Sequence, residues 1–290
     1  MSLRYYDRFR RDGGRPQAAP DAPTALAATR GVKGEIVLSW TPPASVDSYK
    51  ILRGTSSGSE IEVHSGVAAG ASTYTDTGLA DDTRYYYKIK ATLAGVDSSS
   101  SSEVDAWTWL LYDSYTQADG PAGAADTGQS WVAAGCSGGG TVAQSVSGNE
   151  AYLSGVCGDN QSFMLVNTVA DVTAKLALKA IASGVVVRNV IRAADQNNLI
   201  MAQIAQGSGV SLFKRVATTF TQLGATYAVA PAVNDVSGLA GSGSALTVTV
   251  NGVTAVTATD SAGSTNTYVG WGHGSSAGTS NRIDNYGAHR

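Results

Sequence analysis

The sequence predicts an all-β protein made of two antiparallel sandwiches in series. Three observations predict it. The 290 residues include 34 Gly, are rich in Ser, Thr, Ala and Val, and are only 15% charged. That mix suits strands joined by many turns and argues against helical bundles and disorder. Short runs of period-two alternation recur between clusters of Gly, Pro, Asn and Asp. No segment sustains the 3.6-residue period of a helix.

The length allows two domains, each able to bury a core. A net charge of −3 is too small to imply nucleic acid or a membrane as the main partner. Residues 1–15 hold five Arg and two Asp, a local +3 that leaves −6 for the rest of the chain. No run reaches the roughly 18 apolar residues of a membrane span. No apolar stretch follows the N-terminal arginines, so no secretory signal is expected. The expectation is a chain made and retained in the cytoplasm, or one that leaves it by assembly or lysis. Cys136 and Cys157, the two cysteines, are too few for a tetrahedral zinc site alone; a disulfide and two packed thiols both stay open.

Residues 1–19, MSLRYYDRFRRDGGRPQAA, show no strand alternation. One reading is a disordered tail. The other rests on Tyr5, Tyr6 and Phe9 interleaved with Arg4, Arg8, Arg10 and Arg11. Aromatic and Arg side chains bury area and make forked hydrogen bonds, as interface anchors do. On that reading the segment is an arm that docks into a neighbouring subunit.

Residues 20–108 read as one β-module. Ile36-Val37-Leu38-Ser39-Trp40 is a strand closed by Pro42 and Pro43, and Tyr49–Arg53 alternates up to Gly54. In Thr83–Ala91, Tyr85, Tyr87, Ile89 and Ala91 fall on one face and Tyr86, Lys88 and Lys90 on the other. Pro23, Trp40 before Pro42, the Tyr49 strand, Leu79 with Thr83 and Tyr85, and the closing Ser102–Thr108 together resemble a fibronectin type III domain. The resemblance implies a seven-stranded sandwich with Trp40 in the core and Tyr85 as the corner tyrosine. Adhesive members of that family carry Arg-Gly-Asp before the last strand. Here the loop reads Leu93-Ala94-Gly95-Val96-Asp97, so a spacer is expected instead.

Residues 109–112 read as a short linker, short enough that the two modules should touch. Residues 113–290 form the second module. Its opening, Asp113–Trp131, is a Gly-, Pro- and Asp-rich loop. Strands are expected at Thr141–Ser147, Glu150–Val156, Val172–Ala180, Val185–Arg192, Leu199–Ile204, Ser211–Val216, Phe220–Leu223, Leu246–Val250, Val253–Ala258, Tyr268–Trp271 and Ile283–Tyr286. Asn251-Gly252 is the strongest hairpin signal. Hairpin-joined strands in this number predict a jelly-roll sandwich of two antiparallel sheets.

The ordered set Asp113-Ser114-Tyr115, Asp119-Gly120, Asp126-Thr127-Gly128, Trp131, Asn149–Leu153, Arg192–Asn198, Leu212–Arg215, Asn251-Gly252, Asp260 and Arg282–Tyr286 resembles the concanavalin A-like, laminin-G-like domains of bacteriophage tail and other virion proteins. That resemblance implies glycan or surface binding, with calcium in some members.

Catalytic signals are sparse. His64, His273 and His289 lie in no nucleophile motif, and Glu150 is the one Glu after residue 112. Asp113, Asp119 and Asp126 are calcium candidates, although Asp in such turns usually fixes the backbone. For glycan, an exposed aromatic with nearby hydrogen-bonding groups is wanted. Trp271 and His273, followed by Asn281 and Arg282, offer one such loop, and Arg192 with Asn198 another. Trp271 reads equally well as core.

The resulting expectation is a non-enzymatic structural protein of a tailed-phage virion, in the tail or as a head decoration, assembled in the host cytoplasm. It would bind other virion proteins through its arm, form a homo-oligomer in the assembly, and display a lectin-like domain towards host glycan. The alternative is a carbohydrate-binding or adhesin protein of a bacterial cell surface.

Overall fold

The computed structural model describes residues 18–290 except 118, 122, 134–139, 148–149, 158–160, 181–185, 218 and 275–281. The arm residues Arg4, Tyr5, Tyr6, Arg8, Phe9, Arg10 and Arg11 lie outside the described residues, as do Asn281, Cys136 and the side chain of Cys157. Among the described residues every regular element is a strand. The chain divides into two compact units. One comprises residues up to Thr29 with Ile36–Asp76 and Arg84–Ala106; the other comprises Arg30–Glu35, Thr77–Thr83 and Trp107–Arg290.

The first unit is built on β1 (Thr24–Arg30), β2 (Ile36–Thr41), β3 (Ser48–Gly54), β4 (Ile61–Ala68), β5 (Thr73–Asp76), β6 (Arg84–Leu93), β7 (Val96–Asp97) and β8 (Val104–Trp107), except that Arg30 and Trp107, the last residues of β1 and β8, fall in the other unit. One sheet runs β1-β2-β5; the other runs β4-β3-β6-β7, with β8 also on β6. The alternation read from Thr83–Ala91 is realised: Tyr85, Tyr87, Ile89 and Ala91 are buried. They pack with Ile36, Leu38, Tyr49, Ile51 and Trp40, whose indole meets the Tyr49 ring edge-on at 5.2 Å. A buried carboxylate, Asp76, is held by Arg53 at 2.8 Å and by the Tyr87 hydroxyl at 2.8 Å. Pairing of this kind is what makes a charge tolerable in a core.

The second unit contains β9 (Leu111–Asp113), β10 (Gly120–Pro121), β11 (Val132–Ala133), β12 (Gly140–Ser147), β13 (Glu150–Cys157), β14 (Gln161–Asn167), β15 (Thr173–Ala180), β16 (Val186–Asp195), β17 (Asn198–Ala205), β18 (Gly209–Val216), β19 (Thr219–Tyr227), β20 (Val236–Ser242), β21 (Ala245–Val250), β22 (Val253–Thr259), β23 (Tyr268–Gly274) and β24 (Arg282–His289). A nine-stranded sheet runs β10-β12-β13-β24-β15-β20-β21-β22, with β9 on β24, and a seven-stranded sheet runs β11-β14-β23-β16-β17-β18-β19. One apolar cluster lies between them, joining Leu176, Leu178, Leu239, Val248 and Tyr286 of the first sheet to Val166, Val187, Ile200, Leu212 and Trp271 of the second.

Three differences from the sequence expectation have physical causes. Leu111 and Tyr112, read as linker, belong to β9, pair with Ala288 and Gly287, and are buried. Strand β20, VSGLAGS, was not expected because three of its seven residues are Gly or Ala, which carry little strand signal. Strand β14 was missed because its apolar run Phe163–Val166 does not alternate. Both of its faces are buried: Met164 and Val166 face the sandwich interior, while Phe163 and Leu165 join Val190, Leu199 and Met201 in a second cluster on the opposite face.

Candidate functional site

The opening loop of the second unit is sewn back onto its own start. The Asp113 carboxylate is fully buried and accepts the Trp131 indole N–H at 2.6 Å and the Tyr115 backbone N–H at 3.0 Å. Tyr115 holds a left-handed φ of 52° with its ring completely buried, a cost that only well-packed surroundings sustain. Asp126 accepts from the Ser114 backbone N–H and hydroxyl at 3.0 and 2.5 Å. Asp119 is exposed. The three carboxylates therefore do not converge as calcium ligands, and among the described residues no group of three His, Cys, Asp or Glu could hold a metal ion. The oxygens of Asp113 and Asp126 fix the loop instead.

Burial pushes Asp113 up to about 6, against the lowering by its two N–H donors. Because the folded value lies above the ordinary 3.8, the contribution of this group to stability is greatest below pH 4. It falls as pH rises from 4 to 6 and is constant above that. A shift of this size corresponds to about 3 kcal/mol. Urea unfolding of the full chain at pH 4.5 and 6.5 should show the second unit losing stability with rising pH, and Asp113→Asn should abolish most of that slope. Equal slopes in the two proteins would refute this assignment.

The expected glycan residues are placed elsewhere. On β23, Tyr268, Gly270, Gly272 and Gly274 point away from the interior while Val269, Trp271 and His273 point into it. Trp271 is wholly buried, with its indole N–H donated to Gln144 at 3.2 Å, and His273 is buried beside it. Neither offers a sugar platform. Arg192 also faces inward. It sits on a β-bulge at φ 52°, and its guanidinium binds Asp171 at 2.7 Å and the carbonyls of Gly243 and Asp260 at 2.8 and 3.3 Å. It ties three loops together. The Asn198 amide is used at both ends, donating to Asp195 at 3.0 Å and accepting from the Ala217 backbone N–H at 3.3 Å. Arg282 lies 3.5 Å from Glu150 and over the Tyr152 ring at 5.4 Å. The structure thus disperses the predicted set: Trp271 and Arg192 turn inward, and His273, read as loop, lies on β23.

What remains is the outer face of the nine-stranded sheet. Along β15, Ala174, Leu176 and Leu178 are buried in the sandwich, so Thr173, Lys175, Ala177 and Lys179 point outward. Lys175 pairs with Gly287 on one side and Gly238 on the other. A Cβ at Gly287 would lie 2.6 Å from the Trp109 ring, and one at Gly238 would strike the Thr249 hydroxyl. The two glycines let Trp109 and Thr249 lean in on either side of Lys175. The Trp109 indole meets Tyr112 at 5.5 Å and His289 at 5.6 Å, and the Tyr112 hydroxyl donates to Asn285 at 3.3 Å. The Arg30 guanidinium, part of the same compact unit, lies 4.8 Å over Trp109. Burial lowers Arg30 to about 10 and His289 to about 4, and it lowers Lys175 as well. This is an aromatic, hydroxyl and cation platform. Sequence reading missed it because Trp109 and Tyr112 looked like linker, and the glycines flanking Lys175 come from positions 238 and 287.

A family model for the fibronectin type III domain matches residues 21–106. Residues 21–106 are a fibronectin type III domain. The match ends there and leaves residues 107–290 unassigned. Among solved structures, a Fn3-like protein from Clostridium thermocellum is 31% identical, with 31% of this chain and 95% of that one covered and a TM-score of 0.29. The carbohydrate binding module CBM66 from Bacillus subtilis is 16% identical over 55% of this chain and 95% of its own, with a TM-score of 0.42. A beta-1,2-glucanase from Parabacteroides distasonis is 27% identical over 31% of this chain and 13% of its own, with a TM-score of 0.28. No curated protein matches the chain.

Proposed function

We propose that this chain is a non-catalytic adhesion protein in which the fibronectin type III domain is a spacer and the second sandwich binds carbohydrate. The observation that carries the reading is the outer-face platform of Trp109, Lys175, Asn285 and Thr249, with Tyr112 buried behind the indole. Aromatic rings beside amide, hydroxyl and ammonium groups are what a sugar's apolar face and hydroxyl rim require. Glu150 is engaged with Arg282, and Asp113 is closed off by the Trp131 indole. Neither is set opposite a second carboxylate as sugar hydrolysis needs. The setting we propose is a tailed-phage virion, where residues 1–19 would anchor the chain to neighbouring structural proteins and the sandwich would face the host surface. A bacterial cell-surface adhesin is the second reading, favoured by the same platform. Affinity electrophoresis of the full chain through gels containing different polysaccharides tests the binding function. Retardation by at least one polymer without its cleavage is expected; free migration in every gel, or release of reducing ends, would sink the proposal.

A further inference from the structure

The geometry points to Lys175 as the anchor of an anion-binding site that takes the acidic group of a polysaccharide. This rests on the carbohydrate-binding reading and narrows it to acidic polymers. Four other lysines sit close beside carboxylates: Lys50 is 2.9 Å from Asp97, Lys88 is 2.8 Å from Glu60, Lys179 is 3.4 Å from Asp284 and Lys214 is 2.6 Å from Asp260. Lys175 has no hydrogen bond or ion pair with any described residue, although it is half-buried.

Its charged neighbours make this arrangement less comfortable still. Arg30 and Lys175 repel each other, and both act on His289. Arg30 spends its Nε–H on the Trp107 carbonyl at 2.7 Å, an acceptor that carries no net charge. A partly desolvated ammonium beside a guanidinium is disfavoured by burial and by like-charge repulsion together. An anion seated between them would relieve both, and it would gain more than in bulk water because the local dielectric is low.

The neighbours of Lys175 frame the place where that anion would sit. Gly238 and Gly287 flank Lys175 without side chains, and the Thr249 hydroxyl and the Trp109 ring occupy the space over them. A carboxylate on a sugar ring would meet the ammonium with the indole and the Thr249 hydroxyl on either side of it. The neighbouring carboxylate Asp284 is engaged with Lys179 and Asp82 with Arg290, so neither fills the place.

Calorimetric titration of the full chain with polygalacturonate and with dextran, at low and high salt, reads the site out. The wild-type chain should bind polygalacturonate, lose affinity with salt, and bind dextran at least roughly tenfold more weakly, a difference of about 1.4 kcal/mol. Lys175→Met should lower polygalacturonate affinity by about tenfold or more while its melting temperature stays level or rises, since an unpaired half-buried charge is removed. Lys175→Arg should retain most of the binding. Equal polygalacturonate affinity in wild type and Lys175→Met would overturn the inference. So would dextran bound as tightly as polygalacturonate, which leaves carbohydrate binding standing and removes only the acidic preference. If neither polymer nor any other polysaccharide binds, the carbohydrate reading and the site fall together.

Discussion

Replacing Trp271 with alanine is expected to destabilise the second unit by about 3–5 kcal/mol. The ring is fully buried at the centre of the cluster that joins the two sheets. Its indole N–H is bonded to Gln144. Removing the side chain deletes a large apolar volume and leaves the Gln144 carbonyl without its donor, and both losses fall inside a packed interior that relaxes only in part. Urea unfolding followed by tryptophan fluorescence should show the transition of the second unit moving to lower denaturant while that of the fibronectin type III domain stays. A loss under about 1 kcal/mol would mean that the ring is not in the core. Glycan affinity measured well below the shifted transition should be unchanged, which separates this residue from Lys175.

Arg192→Met should cost about 3 kcal/mol, towards the lower end for breaking a buried ion pair, because Asp171 remains partly hydrated. The guanidinium is itself 1% exposed, whereas Asp171 is 41% exposed. The lost fork serves Asp171 and the carbonyls of Gly243 and Asp260, so three loop ends lose a common tie. Arg192→Lys should not rescue it, since one ammonium cannot span three acceptors set for a planar fork. Asp171→Ala should cost about 3 kcal/mol as well, because it leaves the buried guanidinium without a carboxylate and the Gly243 N–H without its acceptor. Thermal unfolding of the three variants measures these losses directly. Arg192→Lys as stable as wild type would show that charge, rather than the forked geometry, holds these loops.

The strands were legible where side chains alternate between a wet and a buried face. Tyr85, Tyr87, Ile89 and Ala91 show this in the first unit, and Ala174, Leu176 and Leu178 show it in the second. Turn chemistry was legible at Asn251-Gly252, where both residues take left-handed φ values of 51° and 79°. Legibility failed for the existence of β14 and for the inward face and far end of β23. In β14 both faces are buried, so alternation carries no contrast. In β23 every outward position from Gly270 to Gly274 is glycine, and an aromatic between glycines looks like a loop ornament. The Asp-rich opening loop was legible as a structured turn, but the roles of its carboxylates were not. Asp113 and Asp126 differ by total burial against exposure, which local composition cannot express.

By itself the sequence determined the all-β class, the fibronectin type III module and the phase of its clearest alternating strands. Each of these follows from local rules: pleated backbones send neighbours to opposite faces, and turns need particular residues. Only the tertiary structure decided which face is inside and what stands beside it. Trp271 went in because β23 lies centrally between β14 and β16. Lys175 faced out between glycines that β20 and β24 bring from 63 and 112 positions away along the chain. Pairings over such distances are selected by the packing of the whole sandwich. The side chains that could touch a ligand are chosen by that packing, not by their neighbours in sequence.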